Sequence, residues 1–291
     1  MCRGHVDVTL KLSAALPDVP GACRVCNAHG VRQDFLAIGA AAAALPPAEA
    51  AARFDGGAYF LAKAIWTKGY KQLLEGLGEA AGDATATAEA ADAADLPAVQ
   101  AFACAPVHTF GSGRDAAAIR AAADAGSYPV VVHEGIDHAA PALRSYRVFV
   151  NPSTSEVLCT ATAEALAMGK KVLIPDHPSN SFFRQFANAQ LYDPPPADDD
   201  ADGGVSGGGG GGWLVPLLAE ALATPPVALS PHEQYLLSWE AATERLIDAA
   251  RLPRSASPRA DPRHALAYGA HWAAGMPPLG AMGREFAGAE E

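Results

Sequence analysis

Short apolar runs closed by glycine, proline or polar residues alternate with helix-period segments through the middle of this chain. That alternation limits the fold more than any other feature. Ala58 to Ile65 reads as a buried strand, a basic loop follows, and Tyr70, Leu73, Leu74 and Leu77 recur at helical spacing. The order repeats. VHTF before Gly111 is a strand, Asp115 to Ala125 a helix, and PVVVHEG a second strand. YRVFV ending at Val150 is another strand, Thr160 to Met168 a helix stopped by Gly169, and KKVLIP ending at Pro175 a further strand. Strands separated by helices at this spacing imply an α/β fold, a Rossmann-like open parallel sheet with right-handed crossovers. In such sheets ligands bind at the carboxyl ends of the strands.

The 291 residues are half hydrophobic, enough for a real core in one or two domains. A net charge of −11 excludes nucleic-acid binding by bulk electrostatics. No run approaches the roughly 18 apolar residues of a membrane-spanning helix. The opening MCRGHVDVTLKLS carries no readable targeting signal. Five cysteines, Cys2, Cys23, Cys26, Cys104 and Cys159, are odd in number and scattered, which fits a reducing compartment better than a disulfide framework.

Outside the alternating core, Val6 to Leu12 has strand alternation with no preceding element to pair with. Gly82 to Asp95 and Pro194 to Gly212 read as insertions, the latter Pro-rich, then acidic, then six consecutive glycines. Leu236 to Ala250 has the pattern of one amphipathic helix. The expected divisions are 1–22 as an N-terminal remnant, 23–193 as the ligand-binding domain, 194–212 as an insertion, 213–252 as closing helices, and 253–291 as linker and tail.

Chemistry concentrates in FVNPSTSEVLCTATAEALAMGKKVLIP. A strand delivers Pro152 and Ser153 to its carboxyl end, Glu156 follows in the loop, and Glu164 rides on the next helix. The amides of Leu158, Cys159 and Thr160 lie at that helix's N-terminus, where unpaired N–H groups and the dipole favour an anion. Carboxylates eight residues apart on either side of it can accept from paired sugar hydroxyls. A phosphate between two hydroxylated groups fits this layout. Lys63 and Lys68 in AKAIWTKG could neutralise charge on a leaving diphosphate, work otherwise done by a metal. Gly111 and Gly113 of FGSG allow close backbone approach to a nucleotide.

Other signals carry less. Asp198, Asp199, Asp200 and Asp202 sit between prolines and glycines with no strand leading in, so they read as a solvated loop rather than a metal site. Cys23 and Cys26 form a CxxC without a second Cys or His pair, which favours plain thiols. His29, His133, His138 and His177 lie near loop ends and read first as structural histidines. Phe182, Phe183 and Phe186 read as packing.

The order AKAIWTKG, FGSG, PSTSEVLCTATAEALAMGKKVLIP resembles the donor-binding half of retaining, two-Rossmann-domain (GT-B) glycosyltransferases of family 4. The resemblance is greatest to galactolipid-forming members of that family, through NAHGV, GAYFLAKAIWTKGYKQLLE, GIDHAAPALRSYRVFVNPSTSE, HPSNSFFRQFANAQLYD and LSWEAAT. It covers most of Val6 to Ala250. Val157-Leu158-Cys159 stands where many family-4 enzymes have Gly-Phe-Gly, and most of an N-terminal Rossmann half is missing. Val6 to Leu12 resembles that half's last strand. The resemblance implies that Lys63 and Lys68 bind the donor diphosphate, that Glu156 serves the hexose as the catalytic carboxylate, and that Glu164 holds ribose. It further implies UDP-galactose as donor, no metal or other cofactor, a galactolipid acceptor at a membrane surface, and a peripheral place on the chloroplast outer envelope. Two other readings stay open: a family-4 transferase with another sugar or acceptor, and a non-catalytic nucleotide-sugar-binding module.

Overall fold

The computed structural model describes residues 8–78, 106–195 and 212–252. Its main sheet has six parallel strands: β3 (Ala58–Leu61), β4 (Val107–Phe110), β5 (Val130–His133), β6 (Val148–Val150), β7 (Lys171–Pro175) and β8 (Ala189–Tyr192). They lie in the order β5-β4-β3-β6-β7-β8. Chain order therefore runs outward from β3 in one direction, then returns to β6 and runs outward in the other. This is the doubly wound arrangement expected from the alternating pattern.

Each strand divides its side chains between two cores because its side-chain period is two. Tyr59, Leu61, Phe110, Phe149, Val172 and Ile174 face one core. Helix α1 (Gln33–Ala43) adds Phe35 to it, and α5 (Thr160–Ala167) adds Ala163 and Leu166. Ala58, Phe60, Val107, Val148, Val150 and Leu173 face the other. Helices α3 (Tyr70–Leu77), α4 (Ala116–Ala125) and α6 (Leu214–Ala223) cover that face with Leu73, Leu77, Ile119, Leu214 and Leu218. The inner strands β3, β6 and β7 are buried on both faces, which explains why their sequences are largely continuous apolar runs rather than alternating ones. Helix α2 (Pro47–Arg53) follows α1 on the way to β3.

Two local features differ from the pattern-based expectation. The N-terminal strand has a partner: β1 (Thr9–Lys11) pairs in parallel with β2 (Cys23–Val25), Thr9 opposite Cys23 and Lys11 opposite Val25. The alternation from Val6 to Leu12 marks β1, but nothing local identifies its partner, since each strand has only three residues. The expected helix from Leu236 is two helices, α7 (Pro231–Leu237) and α8 (Trp239–Ala250), broken at Ser238. Gly30 packs there so closely that a Cβ on it would lie 2.5 Å from the Trp239 backbone nitrogen, and the Val31 N–H donates to the Leu237 carbonyl. The backbone of the 30–31 loop thus takes the place of a continuing helical turn. Ser238 Oγ then accepts from the Ala241 N–H and starts α8 afresh.

Beneath the sheet, Lys170 is fully buried and donates to the carbonyls of Leu143, Arg144 and Tyr146 at 2.8, 3.3 and 2.6 Å. It ties the turn before β6 to the start of β7. Lys170→Met keeps the apolar stem but leaves three carbonyls without their donor. We expect a loss of about 1–3 kcal/mol, read as a lower urea midpoint with an unchanged slope.

No helix among the described residues is long and apolar enough to cross a membrane. The Gly82 to Asp95 insertion, the aspartates from Asp198 to Asp202 and the 253–291 tail lie outside the described residues.

Candidate functional site

Between β3 and β6 the strand order reverses, the place where a doubly wound sheet has its ligand crevice. The loop after β3 carries Lys63 and Lys68, and the loop after β6 carries Glu156. Both are braced by their neighbours. Ala62 and Ala64 donate their N–H groups to the carbonyls of Phe110 and Ser112 at 3.2 and 3.0 Å. The Asp115 N–H donates back to the Ala64 carbonyl at 3.1 Å, and Asp115 Oδ2 accepts the Trp66 N–H at 3.1 Å. Asp115 stands at the N-cap of α4 without capping it by its side chain; the carboxylate holds the lysine loop instead.

Gly111 and Gly113 serve this bracing. A Cβ at Gly111 would lie 2.0 Å from the Ala62 carbonyl oxygen, and one at Gly113 would lie 2.4 Å from that of Ala64. Both distances are below any real contact, so the two strand ends can approach only through glycine.

On the other side, Asn151 Oδ1 accepts the Ser153 N–H at 3.1 Å, and Asn151 Nδ2 donates to Cys159 Sγ at 3.0 Å. Ser155 Oγ donates to the Thr67 carbonyl, joining the two loops. Gly69 makes the close approach possible. Its φ is +97°, and a Cβ there would meet the Ser153 nitrogen at 2.9 Å.

This bracing brings Lys68 and Glu156 together across the crevice. Lys68 Nζ donates to both carboxylate oxygens, at 3.0 and 2.9 Å, with 33% of the lysine and 14% of the glutamate side chain exposed. Lys63 is exposed and makes no ion pair among the described residues. The two lysines thus differ: one is paired with a carboxylate, the other is exposed to solvent.

Helix α5 starts directly after the Glu156 loop. Cys159, at its N-cap, makes no side-chain cap, and the N–H groups of Leu158, Cys159 and Thr160 find no acceptor among the described residues. Burial pushes the Cys159 thiol above its usual range, so it is a packed neutral group. Glu164 lies further along the same helix, and its Oε2 meets Nδ1 of His138 at 2.5 Å. Burial pushes the nearby His29 imidazole below its usual range, with the Glu164 charge opposing. Along the chain these amides thus lie between Glu156, which pairs with Lys68, and Glu164; amides and cations attract phosphate, and carboxylates can accept hydroxyl protons.

The remaining histidines and aromatics find structural places. His133 ring nitrogen Nε2 sits 2.8 Å from Nδ1 of His108, and His177 bonds Ser179 within its own turn. Phe183 and Phe186 are buried in the core below α5. Cys23 and Cys26 are free thiols. Among the described residues no cluster of three or more His, Cys, Asp or Glu is arranged to hold a metal ion. The pairing of His138 with Glu164 escapes sequence reasoning because the two are 26 residues apart on different elements. Only the position of His138 just beyond a strand end marks it. The support given by Asp115 and Ser155 is equally silent, since both read as ordinary loop and cap residues.

No family model matches the chain. It is 41% identical over 255 residues to digalactosyldiacylglycerol synthase 1, chloroplastic, of Lotus japonicus, a match covering 87% of this chain and 28% of that protein. It is 39% identical over 245 residues to digalactosyldiacylglycerol synthase 2, chloroplastic, of Glycine max, covering 84% of this chain and 45% of that one. The chain therefore spans less than half the length of these curated relatives. Among solved structures, it superposes on an alpha,alpha-trehalose-phosphate synthase (UDP-forming) from Burkholderia xenovorans with a TM-score of 0.50 and 10% identity, over 82% of this chain and 56% of that one. At that identity the likeness speaks for the fold alone, and it is the fold anticipated from the strand and helix order. By sequence the chain is a relative of the digalactosyldiacylglycerol synthases, matching a portion of them, and its fold is a Rossmann-like parallel sheet.

Proposed function

We propose that this chain forms the donor-binding half of a retaining galactosyltransferase. It takes UDP-galactose and serves transfer of galactose to monogalactosyldiacylglycerol, giving digalactosyldiacylglycerol. The observation that carries this reading is the Lys68–Glu156 pair at the crevice between β3 and β6, set beside the unpaired amides of α5. In this reading the diphosphate lies against Lys68, Lys63 and the amides of Leu158, Cys159 and Thr160. Glu156 faces the hexose and supports positive charge developing near the anomeric carbon. Glu164 accepts from the ribose hydroxyls. Gly111 and Gly113 keep the strand ends close enough for the nucleotide to lie over them. The departing phosphate takes the acceptor proton on the same face of the sugar.

The cations and helix terminus supply the charge neutralisation a metal would otherwise provide, so the reading is metal-independent. The named relatives are chloroplastic, which supports a plastid location. A galactolipid acceptor supports peripheral attachment at the outer envelope. Residues 23–193 form the donor domain in this reading, with 213–252 closing it and 1–22 as the edge of the acceptor half.

Titration calorimetry of the full chain with UDP, with and without EDTA, tests the assignment. Binding should be unchanged on chelation. Binding that disappears with EDTA would overturn the metal-free reading.

A further inference from the structure

Glu164 is a carboxylate with an unusual setting. Its side chain is 17% exposed and borders a small cavity whose other walls include Tyr59, Leu61, Phe149 and Met168. An ionised carboxylate over such an apolar floor needs a donor to hold both its charge and its orientation. His138 supplies one: its Nδ1 lies 2.5 Å from Oε2, and a carboxylate acceptor at that distance puts the proton on Nδ1.

The loop that presents His138 is itself fixed. Asp137 Oδ1 accepts the Ala139 N–H at 2.8 Å, the Asp137 carbonyl accepts that of Ala140 at 2.9 Å, and Arg32 reaches Asp137 from the start of α1 at 3.3 Å. The Ala139 bond, followed by Arg32, holds the Asp137 carboxyl below its usual range, so the turn is pinned by a charged group. The imidazole is therefore delivered to Glu164 by a turn, not by chance contact of two exposed side chains.

We propose that His138 is a positioning residue for the donor: by occupying Oε2 of Glu164 it fixes the carboxylate so that Oε1 faces the ribose hydroxyls of a uridine diphosphate. This rests on the donor-site reading above and adds to it a residue from another element. Without His138 the carboxylate is free to turn toward water, and in that orientation it accepts less well from a diol.

The test is a cycle between protein and ligand, with the full 291-residue chain. Binding of UDP and of 2′-deoxy-UDP is measured by calorimetry for the unmodified chain, His138→Ala and His138→Asn. Asparagine can place an amide N–H where Nδ1 stands. We expect His138→Ala to weaken UDP about tenfold and 2′-deoxy-UDP less than twofold, erasing the preference for ribose, and His138→Asn to restore it. Equal weakening of both ligands would mean that His138 only supports the loop, and would overturn the proposal. So would a ribose preference unaffected by the alanine variant, or one lost alike in the alanine and asparagine variants. Failure of the unmodified chain to bind UDP at all would instead overturn the donor-site reading and this inference with it.

Discussion

Expressed by itself, the 291-residue chain should bind UDP yet form no digalactolipid. In the proposed reading the groups at the crevice serve the donor, with Lys63 exposed and a third of the Lys68 side chain in solvent. Transfer to a lipid sugar requires the acceptor hydroxyl to be held against the anomeric carbon while water is shut out. Positioning terms of this kind are worth roughly 7–11 kcal/mol, five to eight orders of magnitude in rate. A donor held without that partner surface should at most hydrolyse UDP-galactose slowly. The check is an assay with monogalactosyldiacylglycerol in detergent, run on the chain alone and on a chain extended by the remainder of a longer relative. Galactolipid formation by the 291-residue chain at a rate comparable to the extended protein would sink the donor-half reading.

The second large effect concerns the ion pair at the crevice floor. Lys68 neutralises Glu156 across the two loops, and in the proposed complex it also faces the diphosphate. Lys68→Ala removes one attraction and exposes the phosphate to an unpaired carboxylate. UDP affinity should fall by about 3–5 kcal/mol, on the order of a hundred- to several-thousand-fold. Glu156→Ala should leave UDP at least as tightly bound, because it frees the lysine, while impairing any sugar-dependent part of binding. Lys68→Ala combined with Glu156→Ala should recover much of the loss. Calorimetry with UDP across the four proteins reads the coupling directly. Additive losses, or a Glu156→Ala variant as weak as Lys68→Ala, would show that the pair does not act on the diphosphate in this way.

These expectations draw unequally on sequence and structure. The run AYFLAKAI, the glycines of FGSG and the stretch from Val148 to Pro175 were legible because they are local: a strand, a tight turn, a helix start and a carboxylate each show within a dozen residues. The candidate site was legible to the same extent. Lys63, Lys68, Glu156 and Glu164 were visible as residue types at strand ends and on a helix. Their partners were not. Lys68 meets Glu156 across 88 positions, and His138 meets Glu164 across 26.

The sequence by itself determined the parallel α/β architecture, because burying strands on both faces forces continuous apolar runs separated by amphipathic helices. It also determined where Lys63, Lys68, Glu156 and Glu164 fall along those elements. Only the tertiary structure decided that Lys68 and Glu156 neutralise one another, that Asp115 supports the lysine loop rather than capping α4, and that β1 pairs with β2. It alone broke the last helical stretch at Ser238, where the backbone of Gly30 displaces a turn whose side chains gave no sign of interruption. The physical reason is the same in each case. Periodicity and propensity act over a few residues, whereas ion pairs, close backbone approaches and short strand pairings are settled by which surfaces the completed sheet brings together.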